Sequence, residues 1–438
     1  MIRRASIGLL WVFVFPLDVI AAMPVDPELA RAVDAYIAPY VPLRAFSGVA
    51  LIAKGESILL EKAWGFANEE FQVPNTPDTR FRIASITKRF TLIVVTRLVQ
   101  EKKLALTDHL AKFAPSFPKA DAITIDHLLN HRSGIRDPDS LRRIISMSYT
   151  PSEVVEILAK LPLGSEPGAT FSYTTANYAV LAFIIEKVTG RTFAEVVRKY
   201  VYEPARMADT GDLTTVAVVP KLASAYMPNP FGGGAAMSGP EDCSWKAGGG
   251  SGYATARDLY RFLRAYYGKK LLPSLDPVSL FQHGEMFGKR VSESSGSFPG
   301  ANASMIYFPD EELAVVVLSN SYAAVAGTIA KDLAAIALKK PFPKRAADSP
   351  GTRPIDPKLF GPWAVEGFPN PLTIETRHGH AIASWSGVRQ NALLRTDDNT
   401  YFLPLDWATL TFSPAPDGTV EGMLTAPWSD KPRKLTRK

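Results

Sequence analysis

Two strand pairs sit far apart along a 438-residue chain, and any fold for it has to reconcile them. Residues 46–68, FSGVALIAKGESILLEKAWGFAN, alternate apolar and polar side chains about a break at Lys54-Gly55-Glu56 and read as a β-hairpin. Much further on, ASMIYFP (303–309) and ELAVVVLSN (312–320) flank an acidic Asp310-Glu311 turn. An isolated two-stranded ribbon is marginal in water, so the pairs are expected to join in one antiparallel sheet. The stretch between them, about 105–250, reads as mostly helical with long loops. The first and last helices are left to pack on a face of the sheet. The fold class expected is α+β: an antiparallel sheet flanked by helices, with a largely helical insertion.

The helices show themselves by period and by punctuation. Residues 29–38 are amphipathic, and SITKRFTLIVVTRLVQE (85–101) repeats Phe90, Ile93, Val94 and Leu98 on one face. TPSEVVEILAKL has Thr150 as cap, Pro151 at the first helical position and Glu153 at the third. Further helices are expected at 174–190, ended by Gly190, at 254–268 and at about 322–338. Residues 339–354, KKPFPKRAADSPGTRP, are rich in proline and charge and read as a linker. Residues 355–438 then alternate in short runs with turn signals, as a small separate all-β domain would.

The start, MIRRASIGLLWVFVFPLDVIAAMP, has Arg3 and Arg4 before a short apolar run and small residues at Ala21 and Ala22. It reads as a signal peptide over 1–22, with Asp18 as a blemish and an uncleaved anchor as the alternative. The expected mature domain is 23–338, periplasmic or secreted, with no stable membrane span after cleavage. A single cysteine, Cys243, excludes an intrachain disulfide and reads as structural. His378 and His380 could share a strand face, but no third ligand accompanies them, so no metal site is assigned. The net charge of +6 is partly concentrated in the tail KPRKLTRK, a solvated terminus without any nucleic-acid motif. At 46% hydrophobic and 21% charged residues, wholesale disorder is excluded.

In FRIASITKRFT, Ser85 and Lys88 lie at i and i+3, on one face of a helical turn. Two readings fit this spacing. Ser85 caps a surface helix, or Ser85 is a nucleophile that Lys88 activates near the positive end of the helix dipole. The surrounding segments, in order, are ITIDHLLNHRSGI (123–135), FSYTTANYAVLAFIIEKVTG (171–190), WKAGGGSGYATARDLYRF (245–262) and GKRVSESSGSFPGANASMIYFPDEELAVVVLSN (288–320). Together with the Ser-x-x-Lys stretch they resemble the serine β-lactamases of class C, the D-alanyl-D-alanine carboxypeptidases and the esterases that share their fold. The resemblance spans about 30–339.

That resemblance implies an acyl-serine mechanism without metal or cofactor, acting on a small-molecule or peptide substrate. It makes Ser85 the nucleophile, Lys88 its proton partner and Tyr173 a phenol of lowered pKa that serves the leaving group. The oxyanion hole would be the backbone N–H groups of Ser85 and Ser297. Substrate contacts fall to Thr175, Ser294, Ser295 and Gly296. Two positions depart from the family. Thr175 stands where an asparagine is usual, and Ser294 stands where a lysine or histidine is usual. Ser294 alone implies a preference for neutral esters, unless Lys246 or Arg290 replaces the missing cation. The expected function is an exported serine hydrolase of ester, amide or peptide bonds, an esterase or peptidase rather than a true β-lactamase. The competing reading is a non-catalytic binding or sensor protein on the same fold. The terminal β region resembles lipocalin-like barrels appended to this family, where it binds ligand, covers the cleft or mediates dimerisation. Oligomeric state is left open.

Overall fold

The computed structural model describes residues 26–138, 148–213, 218–231, 235–238, 242–273, 283–321, 325–342, 355–385, 389–415, 419–427, 429 and 431–437. The leader expected over 1–22 and most of the expected linker (343–354) lie outside these residues.

The two distant hairpins join as their patterns require. Strands β1 (Gly48–Lys54) and β2 (Ser57–Trp64) combine with β3 (Gly284–Met286), β4 (Lys289–Phe298), β5 (Ala301–Phe308) and β6 (Leu313–Ser319). The sheet order is β3-β4-β5-β6-β1-β2, with every neighbouring pair antiparallel. The first hairpin meets the last through Gly48↔Ser319 to Lys54↔Leu313. All residues of β5 and β6 are buried, because both faces of the sheet are covered.

Alternation along these strands sorts the core into two layers. Val49, Leu51, Met305, Val316 and Leu318 face the helical insertion. Ala50, Ile52, Ile306, Val315 and Val317 face helix α1 (Pro27–Ile37) and the last helix. The insertion side carries α2 (Thr87–Gln100), α3 (Pro151–Leu158), α4 (Ala176–Thr189) and α5 (Ala256–Tyr267). Thr150 and Glu153 form the expected capping box on α3, and Gly190 ends α4 at φ +65°. The last helix, α6, spans Ala326–Ala337.

The C-terminal residues form nine antiparallel strands, Gly361–Val365, Leu372–Arg377, His380–Trp385, Arg389–Ala392, Leu394–Asp397, Thr400–Leu403, Ala408–Pro414, Val420–Thr425 and Arg433–Arg437. The two edges of this sheet are Arg389–Ala392 and Leu394–Asp397, which are consecutive in the chain, so the sheet curls into a nearly closed barrel. Its core holds Trp363, Tyr401, Leu410 and Phe412. His378 lies in a turn at φ +48° rather than on a strand face with His380, and its ring meets Phe231 edge-on at 5.0 Å. Among the described residues no group of three His, Cys, Asp or Glu side chains is placed to hold a metal, and no helix is long and apolar enough to cross a membrane.

The barrel is docked rather than loosely tethered. Phe402 and Trp407 leave its core and join the layer beneath the main sheet. Trp407 packs on Tyr40 with centroids 4.2 Å apart, and Phe402 flanks both rings. Removing a buried aromatic of this size costs about 3–5 kcal/mol. Trp407→Ala is therefore expected to lower the unfolding free energy by that amount in a urea titration. After a protease cut within 339–354, fragment 355–438 should co-elute with the remainder in wild type and separate in Trp407→Ala. A change below about 1 kcal/mol would show that the aromatic contact is not what holds the barrel in place.

Candidate active site

The site forms where the first turn of α2 meets the glycine-rich turn before α5. Ser85 itself is not in α2. It occupies a single 3-10 turn, Ala84–Ile86, that precedes the helix. Ala84 is held at φ +45°, a left-handed conformation costly for any residue with a Cβ. The surroundings impose it. Thr87 Oγ1 donates to Ala84 O at 2.6 Å and accepts from Gly252 N at 3.0 Å. Ile83 N donates to Gly252 O at 2.9 Å, and Thr91 Oγ1 to Gly248 O at 2.7 Å.

These bonds leave the Ser85 hydroxyl aimed at two partners rather than at the helix. Lys88 Nζ lies 3.2 Å from Ser85 Oγ, and Tyr173 OH donates to the same oxygen at 2.7 Å. The side chain makes no cap, so the capping reading of the Ser-x-x-Lys spacing is not the one the geometry adopts.

Lys88 is buried, only 7% exposed, and its ammonium also donates to Gly249 O at 2.6 Å. Burial pulls its pKa down from 10.5 to about 7; Asp137 opposes this and Lys246 adds to it. A large share of molecules therefore carries Lys88 as a free amine at neutral pH.

Tyr173 corrects one expectation. The residue is 54% exposed, yet desolvation of the hydroxyl, with Asp137 adding to it and the Ser85 bond and Arg89 acting the other way, holds the phenol above the ordinary tyrosine value. It is a protonated donor at neutral pH, not a phenolate base. His131 packs against its ring at 4.5 Å with a 33° tilt and stays neutral, because burial and then Lys88 hold its pKa down to about 4.

A cavity of about 670 Å³ opens over this centre and is lined by Ser85, Lys88, Arg89, His131, Tyr173 and Ser294 among others. Strand β4 forms one wall. Ser294 is turned toward α2, whereas Ser295 and Ser297 alternate to the exposed side. Ser297 faces a second cavity of about 370 Å³ between β4 and α6, which Pro427 of the barrel also lines, and Ser295 lines both cavities. Gly296 lies against the Ser85 turn, where a Cβ would come within 2.1 Å of Ile83 O and 2.7 Å of Ser85 N. Only glycine permits that approach.

Thr175 does not join the group. It precedes α4 without capping it and packs against Gly249 rather than lining the larger cavity. Asp137 does the capping instead, accepting from Ala176 N at 2.9 Å and from Thr174 Oγ1.

The two cations named as replacements for the missing third-motif charge are held by other partners. Arg290 pairs with Asp310 near the start of β4, and Lys246 sits over the rings of Phe298 and Trp245. The cation that does reach Ser294 is Arg89. Its Nε donates to Ser294 Oγ at 2.7 Å and its Nη2 to Glu293 O at 3.3 Å. The sequence carried a signal for it: Ser85, Lys88 and Arg89 stand at i, i+3 and i+4, one helical face.

Comparison with known proteins agrees with this geometry. A family model described as Beta-lactamase matches residues 33–339. A Bacillus subtilis (strain 168) protein named penicillin-binding protein PbpX is 27% identical over 292 residues, covering 65% of this chain and 73% of its own. The D-aminopeptidase of Brucella anthropi is 33% identical over 168 residues, which is 36% of this chain and 31% of that protein. Among solved structures, a penicillin-binding protein from Bacillus halodurans superposes with TM-score 0.58 at 25% identity, covering 70% of this chain and 98% of its own. An octameric penicillin-binding protein homologue from Pyrococcus abyssi, 19% identical with TM-score 0.62, covers 93% of this chain and 100% of its own; at that identity it speaks to the fold alone. With an antiparallel sheet, a helical insertion and a match over most of its length, the chain belongs to the Beta-lactamase family of serine hydrolases.

Proposed function

We propose that the protein is an exported hydrolase that cleaves an ester, amide or peptide bond through an acyl-Ser85 intermediate. The observation that carries this reading is the convergence of Lys88 Nζ and Tyr173 OH on Ser85 Oγ. As a free amine, Lys88 still donates one N–H to Gly249 O and turns its lone pair to the Ser85 hydroxyl. It takes that proton as Oγ attacks the substrate carbonyl. The oxyanion that forms is received by the N–H groups of Ser85 and Ser297, which the Gly296 approach supports. Tyr173 gives its phenolic proton to the departing group and recovers one from the Lys88 ammonium, which lies 4.9 Å from its ring centroid. Water then attacks the acyl group, its proton passes to the same relay, and Ser85 is regenerated. With Thr175 away from the larger cavity, the amide that the family usually offers there has no counterpart at that position. Ser294, a hydroxyl where a lysine or histidine is usual, supports an esterase or peptidase rather than a β-lactamase. The charged, apolar and small-residue order of the leader supports export.

Three outcomes test this. A fluorophosphonate should add once to the wild-type protein, on Ser85, by intact-mass spectrometry, and not to Ser85→Ala. Tyr173→Phe should lose about 10²–10⁴-fold in kcat. Labelling of Ser85→Ala to the wild-type extent would remove the mechanism. The proposed base also sets a pH profile. Lys88 is lowered to about 7, so the reactive free amine accumulates as pH rises through that value. kcat/KM should climb to a plateau above it, and Tyr173, raised above its usual value, adds no descending limb below about pH 10. A profile flat from about pH 5.5 to 8.5 would assign the proton transfer elsewhere. Finally, N-terminal sequencing of exported material should begin near Met23, and an intact Met1 in a cytoplasmic fraction would contradict export.

A further inference from the structure

Resting on the acyl-serine reading, we infer that His131 is a positioning residue that holds the Tyr173 phenol over Ser85 for protonation of the leaving group.

Tyr173 needs support from outside its own segment. Residues 170–174 belong to no helix or strand, and Tyr173 is exposed. Its hydroxyl donates to Ser85 Oγ, the very atom that the reaction acylates. That bond cannot hold the ring through a turnover in which the acceptor becomes an ester oxygen.

His131 supplies the hold on both sides of the tyrosine. Its backbone O accepts from Ser172 N at 2.8 Å, and its Nδ1 accepts from Thr174 N at 3.3 Å. The imidazole packs against the Tyr173 ring at 4.5 Å and meets Phe171 at 5.9 Å and Tyr178 at 5.4 Å. All four rings line the cavity over Ser85. His131 is itself buried and sits at φ +56°, a left-handed conformation that histidine enters more readily than most side chains. Such a conformation persists where the surroundings impose it.

The hydrogen bonds also fix the tautomer. A backbone N–H can only donate, so Nδ1 is the unprotonated nitrogen and Nε2 carries the hydrogen. The neighbouring amide agrees. Ser133 Oγ accepts from Ile135 N at 3.0 Å and gives its own hydrogen to Asn177 Oδ1, which turns Asn177 Nδ2 toward His131 Nδ1 at 3.5 Å. Two donors thus meet one lone pair, and an imidazolium would set N–H against N–H. Burial and the facing Lys88 charge keep the ring neutral against Asp137. The support is therefore in place over the range in which Lys88 exchanges its proton.

This role has a leaving-group signature. A p-nitrophenolate departs without a proton, whereas an ethoxide must receive one. Displacing the Tyr173 donor therefore harms ethyl butyrate more than p-nitrophenyl butyrate. His131→Phe keeps a ring without the acceptor, and His131→Asn keeps an acceptor near the place of Nδ1 without the ring. Each should lower kcat/KM for ethyl butyrate, relative to p-nitrophenyl butyrate, by about tenfold to a hundredfold, the scale of a displacement of about 1 Å. Tyr173→Phe should show the same selective loss, and adding His131→Phe to it should cost ethyl butyrate nothing more, because His131 acts through the phenol. Equal losses on the two esters, or a His131→Phe loss that adds to that of Tyr173→Phe, overturn the inference.

A measurement on the wild type needs no variant to fold. Two-bond proton–nitrogen NMR at neutral pH should show His131 as the Nε2–H tautomer. A hydrogen on Nδ1 overturns the inference. The two readings fail separately. If a fluorophosphonate leaves wild-type Ser85 unlabelled, the acyl-serine reading falls whatever the tautomer. If Ser85 is labelled and the His131 variants lose equally on both esters, only the assignment of His131 falls.

Discussion

The burial of the Lys88 ammonium against Gly249 O is the contact on which the rest of the site depends. Desolvation of that one charge lowers its pKa to about 7, which an exposed lysine at the same spacing would not show. The same contact is structural, because Thr87, Lys88 and Thr91 all reach the turn between Gly248 and Gly252. Three side chains on one side of the start of α2, at i, i+1 and i+4, thus hold the glycine-rich segment, and the segment in turn holds Ala84 in its left-handed conformation. The strain that presents Ser85 and the desolvation that tunes Lys88 have one origin. A site assembled this way is present once α2 and the strand that follows the turn have docked.

The second constraint is register in the main sheet. β3 pairs with β4 only at residues 289–291, so the backbone of β4 beyond them borders the two cavities. Its position along the sheet is fixed by Gly296↔Ala303 and, across β5, by Asn302↔Ser319. Slipping β4 by one residue would bring Ser295 or Ser297 to the place of Gly296 and exchange the two faces of the strand. A Cβ there has no room against Ile83 O. The apolar core beneath β5 and β6 therefore controls, through register, where the Ser297 amide stands relative to Ser85. The hydrophobic alternation of a distant hairpin sets the geometry of a polar site.

Much of this was legible in the sequence. The two hairpins, the capping box at Thr150, the Gly190 stop and the all-β character of the tail all follow from local periodicity and turn chemistry, which a single chain displays directly. Ser85, Lys88 and Tyr173 were readable as a set only through their likeness to a family, since nothing in their spacing brings residue 173 to residue 85. What stayed hidden depended on environment. The phenol of Tyr173 was expected below its usual pKa because a cation is near, yet burial acts more strongly than the neighbouring charges and raises it. Thr175 was expected in the cavity because it follows Tyr173 at the family's interval, but Asp137 takes over the helix start and Thr175 turns to Gly249. The charge at Ser294 was sought on β4 and beside the glycine-rich turn, whereas it comes from the helix that bears Lys88.

That last displacement has a physical logic. A lysine in the third motif would bring a second ammonium toward Lys88 and hold its pKa down by repulsion as well as by burial. Here the third-motif side chain is a hydroxyl, and the repulsion on Lys88 comes instead from Lys246, behind the desolvation and Asp137 contributions. Arg89 is held outward against β4 by Ser294 and Glu293, and its charge is spread over a planar group that tolerates partial burial better than an ammonium. The two adjacent cations of α2 are thereby divided by chemistry and depth. The deeper one, a lysine, exchanges its proton near neutrality. The shallower one, an arginine, remains charged and lines the larger cavity. Exchanging the two residue types would leave a buried guanidinium unable to release a proton and an outer amine able to lose its charge, so their order in the sequence matters more than their number.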